Sequence, residues 1–404
     1  MKHIYIFNSS ARGSNYGIGT YVKLLADFLK RTECKVTIVN VVNKDEEFDI
    51  YRKGRIRYIT IPIPVININN LNYGNFEKSI PFILYPYIDK KERNIFHLNY
   101  METSLLAKSI RLIARGPIVL TVHYTDWSFS LLGNQKKIHN ILRNSLDELD
   151  MHSQSIKNKL IQETEIIGFC DKIISISKHS YDNLIKIHKA DKNKILLINH
   201  AIKDSYHESD ANISLIREKL KIASDEIILV FVGRLDVVKG IDILLNSFKC
   251  VLEQHFNIRL FVVGEGDFNK WLSDSSPVWT KITFTGFLPK KNLQEIYAIA
   301  DIGIVPSLHE EFGFVAVEMM CNKIPIIVNN TTGLAEIIDD HINGIKVSLN
   351  PSKKTSKDLI DKINYLIQNP SIRKIIGENG RKKIKTDYSV KRLKKQMLEL
   401  YNSL

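Results

Sequence analysis

Short β-branched runs alternate with longer helical-looking stretches along this chain, and the alternation comes in two series. The first comprises "HIYIF" (3–7), "KVTIVNVV" (35–42), "NIFHL" (94–98), "PIVLTVH" (117–123), "KIISIS" (172–177) and "KILLIN" (194–199). The second comprises "EIILVFVG" (226–233), "IRLFVVG" (258–264), "KITFTG" (281–286), "DIGIVPS" (301–307) and "IPIIV" (324–328). Strands separated by helix-length segments need crossover connections, and crossovers produce parallel sheets covered by helices. The pattern predicts an α/β protein with two Rossmann-like, doubly wound units in tandem. Length agrees, because 404 residues exceed one ordinary core and suit two domains of about 200 residues each. Several strands end in Gly, His or Ser, at the carboxyl edge where open α/β sheets collect ligands. The polar, unpatterned stretch "HAIKDSYHESDAN" (200–212) reads as the interdomain linker.

Charge is uneven along the chain. Residues 1 to 205 hold 30 Lys and Arg against 20 Asp and Glu, residues 206 to 371 hold 17 against 21, and the last 33 residues hold 10 against 3. The net +13 thus concentrates in the first half and the tail. A solvated lysine-rich surface is the plain explanation; a basic face for anionic lipids or an anionic acceptor is the sharper one. No recognised nucleic-acid motif accompanies the charge, so nucleic acid is not an expected partner. Four dispersed cysteines with no C-x-x-C pair argue against a zinc ribbon or disulfide framework and suit a reducing cytosol. The start "MKHIYIFNSS" is too quickly polar for a signal peptide, and no apolar run approaches the length of a membrane span. A cytoplasmic protein is expected, at most peripheral on the inner face of a membrane.

Two stretches of the second series carry candidate chemistry. In "FVGRLDVVKGIDILLNSF" a strand ends at Gly233, Arg234 and Lys239 follow, and an apolar-periodic helix begins near Gly240. A glycine turn, two cations and a helix N-terminus make a suitable anion site. In "SLHEEFGFVAVEMM" (307–320) Glu310 falls in a loop after a strand, a helix starts near Gly313, and Glu318 lies in its second turn. Backbone N–H groups of Gly313, Phe314 and Val315 at that helix start would favour a phosphate. An unpartnered buried glutamate is costly, so a polar ligand is one way to account for both carboxylates. "LFVVGEGDF" has only part of a dinucleotide fingerprint, which disfavours a nicotinamide enzyme. Histidines are scattered and no D-x-D pair occurs, so no metal is expected, and "IIDDHING" (337–344) reads as a turn with solvated carboxylates.

The ordered set "VGRLDVVKG", "VVGEGD", "ITFTGFLPKKNLQEIYAIADIGIVPSLHEEFGFVAVEMM" and "NNTTGLAEIIDDHINGIKV" resembles the large retaining glycosyltransferase family of the GT-B fold, family 4 or group 1. The resemblance covers nearly the whole second unit. It implies two Rossmann-like domains facing a cleft and a terminal helix returning to the first, hence domains at 1–205 with 386–404, and at 206–385. It also implies that Arg234 and Lys239 hold the donor diphosphate together with the helix-start amides, and that Glu310 meets the transferred sugar. Glu318 would meet the nucleotide ribose, and the base would stack near Phe287 and Leu288. In the first unit, "GSNYGIGTYVKLLADFL" places Gly17 and Gly19 before an amphipathic helix, where the family has a glycine-rich loop facing the donor phosphate; Tyr16-Gly17 replaces the usual adjacent glycine pair. "VLTVHYTDW" ends at His123, which matches the family's active-site histidine, whereas His200 matches nothing in the family pattern.

The expected activity is therefore transfer of a sugar from a nucleoside diphosphate sugar to a saccharide, lipid-linked or peptide acceptor in glycan biosynthesis, with retention and without metal. The expected catalytic set is Glu310, His123, Arg234 and Lys239. Two other readings stay open: a catalytically silent sugar-nucleotide-binding partner of another transferase, and a sugar-nucleotide epimerase on the same fold.

Overall fold

The computed structural model describes residues 1–9, 17–42, 47–63, 70–204, 206 and 210–404, with the backbone alone for 70–75 and 210–212. The described residues form two compact units, Met1–Ala201 with Val390–Leu404, and Ile202–Ser389. The sequence reading put these boundaries at 205/206 and 385/386. The supposed linker has structure at both ends: His200 is buried in the first unit, and Asp210–Lys219 is a helix in the second.

The first unit holds an eight-stranded sheet with strands β1 (Lys2–Ser9), β2 (Lys35–Val42), β3 (Asp49–Lys53), β4 (Ile56–Pro62), β5 (Arg93–Leu98), β6 (Ile118–Val122), β7 (Lys172–Ser175) and β8 (Ile195–Leu197). Their order is β3-β4-β2-β1-β5-β6-β7-β8, and the pairings are parallel except for β3 against β4. Central strands are apolar on both faces, as a doubly covered parallel sheet demands. In β1, Tyr5 and Phe7 face a core with the helices Asn70–Leu84 and Ser104–Ile113, while Ile4 and Ile6 face a core with Gly17–Leu29 and Val390–Ser403. Leu393, Met397, Leu400 and Tyr401 are buried in the second of these cores. The last helix is thus an integral part of the N-terminal unit. Gly17 and Gly19 lie in the first turn of their helix rather than ahead of it, and the preceding loop 10–16 falls outside the described residues.

The second unit's sheet joins β9 (Ile227–Val232), β10 (Ile258–Val263), β11 (Ile282–Gly286), β12 (Ile302–Val305), β13 (Ile326–Asn329) and β14 (Ile345–Val347). The order is β11-β10-β9-β12-β13-β14, all parallel. Strand order reverses between β9 and β12, so the carboxyl ends of these two strands flank the switch point, where open α/β sheets place their ligands. The sequence reading missed β14, which is only three residues long, and the β3–β4 hairpin. Strand β3 is exposed along most of its length, so it carries no apolar alternation to read.

Charge divides more sharply than expected. The N-terminal unit holds 33 Lys and Arg against 20 Asp and Glu, while residues 202–389 hold 24 against 24. The tail does not join the first unit as a whole, because the basic helix Pro370–Asp387 belongs to the second. All of the +13 nevertheless resides in the first unit.

Candidate functional site

In the second unit, the loops leaving β9 and β12 meet at the switch point. After β9 the chain passes Gly233 and Arg234 into a short 3-10 turn, Val237–Lys239, capped by the Asp236 side chain, which accepts from the Lys239 N–H at 3.0 Å. Asp236 also pairs with Arg234 at 3.2 Å. Gly240 then takes a left-handed φ of +70° and starts the helix Ile241–Leu252. A Cβ there would lie 2.2 Å from the Pro306 carbonyl oxygen, so only glycine lets the two loops approach this closely. The Leu308 N–H donates to the Val238 carbonyl at 2.8 Å and ties the loops together.

Lys239 and Glu310 form an ion pair, both half-buried, with 17% and 15% of their side chains exposed. Ser307 donates to the same Glu310 oxygen at 3.1 Å. The backbone of Glu310 is held as well: its N–H donates to Thr332 Oγ1 at 3.0 Å, and its carbonyl accepts from the Gly333 N–H at 2.8 Å. Asn329 Nδ2 donates to the Ser307 carbonyl at 3.0 Å and Thr331 Oγ1 to that of Leu308 at 3.1 Å. The "NNTTG" run after β13 is therefore the scaffold of the Glu310 loop. Thr332 sits at φ +35°, a region a β-branched residue avoids at a cost of about 1–3 kcal/mol, and its bonds to Glu310 compensate.

Three residues on, Gly313 takes φ +93° and opens the helix Phe314–Cys321. A Cβ on Gly313 would meet Leu334 at 2.6 Å. The first turn of any helix carries N–H groups that the helix does not use, with the positive end of its dipole. Glu318 lies in the second turn and accepts from the Tyr297 hydroxyl at 3.2 Å. Burial pushes its carboxyl above the usual range, with the Tyr297 bond opposing the shift. Phe287 and Leu288 follow β11; Phe287 is exposed and Leu288 half-buried. The fold thus brings Lys239 and Glu310 into contact, turns Arg234 toward Asp236, and gives Glu318 a separate partner. In "IIDDHING" both carboxylates have protein partners: Asp339 accepts from Asn343 at 2.9 Å and pairs with Lys383 at 2.7 Å, and Asp340 accepts from the Lys346 N–H at 2.8 Å. No group of three or more His, Cys, Asp or Glu suited to a metal occurs among the described residues.

The N-terminal unit has its own cluster at the corresponding edge. His123 follows β6 and stacks on His200, with ring centroids 5.0 Å apart and planes at 15°. Asn99 Nδ2 donates to the Phe7 carbonyl at 2.9 Å, which leaves its Oδ1 to accept from His123 Nε2 at 3.2 Å. His123 Nδ1 must then accept from His200 Nε2, at 3.1 Å. Both ring nitrogens of His123 are engaged within this unit. Beneath them, His97 bonds Tyr401 at 2.6 Å and Thr121 at 2.7 Å, and Thr121 lies 3.1 Å from the Tyr21 hydroxyl. Burial pushes His97 and His200 down to about 3 and His123 well below its ordinary value. These rings are neutral at physiological pH. Sequence reasoning missed Asn99, His97, Thr121 and the role of His200, whose only signal was a histidine at a strand's end. It also missed Glu77, 5% exposed, whose carboxyl burial pushes up to about 8, with Glu102 adding to the shift.

Comparison with known proteins places this geometry in a family. Residues 212–383 match the model of "Glycosyl transferases group 1", and residues 16–206 match that of "Glycosyltransferase Family 4". An uncharacterised glycosyltransferase of Methanocaldococcus jannaschii, MJ1607, is 25% identical over 400 residues, covering 95% of this chain and 94% of its own. The capsular polysaccharide biosynthesis glycosyltransferase CapM of Staphylococcus aureus is 27% identical over 59% of this chain and 63% of its own. Among solved structures, sucrose-phosphate synthase of Thermosynechococcus elongatus superposes with a TM-score of 0.79 at 20% identity, covering 100% of this chain and 99% of that one. Anabaena HepE in complex with UDP-glucose gives 0.72 at 18% identity, with 100% of each chain covered. These neighbours share the GT-B fold. With the two family models spanning most of its length, the chain belongs to the group 1, family 4 glycosyltransferases.

Proposed function

We propose that this protein moves a sugar from a nucleoside diphosphate sugar to a saccharide, lipid-linked or peptide acceptor, with retention of anomeric configuration. The observation that carries the reading is the half-buried Lys239–Glu310 pair at the switch point, next to a glycine-opened helix start. A cation, a carboxylate and helix amides are the groups that a sugar diphosphate needs: positive charge for the phosphates and an acceptor for the sugar hydroxyls. The presence of UDP-glucose in a fold relative supports the same ligand class.

In this reading Lys239, Arg234 and the amides at Gly313, Phe314 and Val315 take the diphosphate. Glu318 takes the ribose, and Phe287 and Leu288 flank the base. Glu310 holds the sugar and supports the positive charge that develops at its anomeric carbon. The bond from that carbon to the phosphate oxygen breaks, the acceptor oxygen attacks on the same face, and the acceptor proton passes to the departing phosphate. Lys239 and the amides stabilise the leaving charge, so the scheme invokes no metal. His123 offers an Nε2–H that a sugar hydroxyl could accept in place of Asn99.

Release of nucleoside diphosphate from UDP-, GDP- and ADP-sugars tests the proposal. Wild type should hydrolyse one donor slowly, and Lys239→Ala and Glu310→Gln should each lose about 100-fold or more, as when a transition-state donor is removed. A wild-type protein that neither releases the diphosphate nor binds any donor by calorimetry would overturn the assignment, and one that binds a donor but never turns it over, with or without saccharide acceptors, would favour a silent partner.

A further inference from the structure

One surface of the N-terminal unit breaks the usual pattern for solvent-facing residues. The helix Asn70–Leu84 turns Lys78, Ser79, Phe82 and Ile83 outward, and Phe82 is 57% exposed. The 3-10 turn Tyr85–Tyr87 continues the exposed aromatic run. Phe48, just before β3 at the sheet's edge, is also exposed and lies 6.2 Å from the Tyr87 ring. Phe82, Ile83, Tyr85 and Tyr87 thus follow one another at this helix end, and Phe48 from the sheet's edge reaches the last of them. Single exposed apolar residues mean little, but a contiguous group marks a contact surface.

The surroundings say what that contact is with. Lys90 Nζ lies 4.4 Å over the Tyr85 ring, Lys78 precedes Phe82 by one helical turn, and Arg52, Lys53 and Arg55 line the β3–β4 hairpin. Glu47 and Asp49 flank Phe48, whereas Asp89 and Glu92 are already held by Lys35 at 3.2 and 2.9 Å. Independently, the whole excess of +13 sits on this unit and none on residues 202–389. A second copy would bring the same positive charge against itself. A polynucleotide gives Ile83 and Phe82 no apolar phase to enter. An anionic bilayer offers both a hydrocarbon boundary for rings and phosphates for lysines.

We propose that this aromatic tip docks the protein on an anionic lipid surface, with Phe82, Ile83 and Tyr85 entering the interface and Lys78 and Lys90 meeting lipid phosphates. The docking does not depend on the sugar-transfer reading. The test is co-sedimentation of the full chain with phosphatidylcholine vesicles, with and without phosphatidylglycerol, at low salt. Phe82→Ser/Tyr85→Ser removes the tip, and Lys78→Glu/Lys90→Glu inverts its rim. Lys391→Glu/Lys395→Glu makes the same charge change on the helix against the sheet's other face. Circular dichroism and thermal unfolding establish that each variant is folded.

Wild type should bind only the anionic vesicles. The tip and rim variants should each lose about tenfold in bound fraction, and the remote variant less than about twofold. Wild-type protein that stays in the supernatant, or a tip variant that binds like wild type, overturns the proposal. An equal loss in the remote variant also overturns it and assigns the binding to diffuse charge. Concentration-dependent self-association without lipid, abolished by the tip variant while vesicle binding persists, would assign the tip to a second copy instead.

Discussion

Glu318 is badly placed for a carboxylate while no ligand is present. It is held off water beside Tyr297, and burial raises its pKa above the unfolded value. A carboxyl raised on folding stabilises the fold at low pH and withdraws that contribution as pH climbs through its folded pKa. Glu318→Gln keeps a partner for Tyr297 and removes the desolvated charge. The apo variant should therefore unfold at a slightly higher temperature at pH 8, by up to about 1 kcal/mol, and lose this advantage near pH 4. On the proposed role of Glu318 at the donor ribose, the variant's donor affinity should fall about tenfold or more through loss of a charge-assisted bond. Differential scanning calorimetry and titration calorimetry on the same preparations check both signs. Glu310 differs: it already has Lys239 and Ser307, so its neutralisation should strand a cation rather than relieve a cost.

At the level of elements, what could be read in the sequence follows burial. Runs such as "KVTIVNVV" announced themselves because interior parallel strands are apolar on both faces, and Gly240 and Gly313 were visible as breaks before apolar-periodic helices. The β3–β4 hairpin was hidden by "YRKGRIRY", whose residues, Ile56 apart, are exposed or only half-buried. For the candidate site, Lys239, Glu310 and the glycines that open both helices stood out by type and spacing, while the residues that hold the loops did not. Asp236, Asn329, Thr331 and Thr332 act through hydrogen bonds to backbone, and short polar residues in a loop carry no periodic signal. The histidine cluster was illegible for the same reason, since Asn99, His123 and His200 meet only after three separate strands are aligned. It also has a measurable cost. With His97 and His200 pushed down to about 3, the unfolded chain takes up protons below about 6.5 that the folded chain refuses. Their contribution is complete above that pH and is lost as pH falls, by about 2 kcal/mol per histidine at pH 5. The urea midpoint should drop between pH 7.5 and pH 5, and His97→Gln should flatten that drop.

Taken whole, the molecule is one continuous unit inserted into a discontinuous one. Residues 202–389 complete their own sheet, whereas the N-terminal unit needs Leu393, Met397, Leu400 and Tyr401 from the far end of the chain. Lys2 closes the seam, donating to the Tyr401 and Asn402 carbonyls at 2.6 and 2.9 Å. Four buried side chains at roughly 1.5–3 kcal/mol each are a large share of any domain's margin. A chain ending at Ser389 should therefore keep a protease-resistant second unit while its first 201 residues are digested, as mass spectrometry of the fragments would show. Synthesis on the ribosome meets the same constraint in time. The unit made first lacks part of its core until the helix Val390–Ser403 has emerged, so residues 202–389 can complete their own sheet before it. During that interval the sheet face that the helix will cover is open, and a chaperone has its clearest opportunity to bind there.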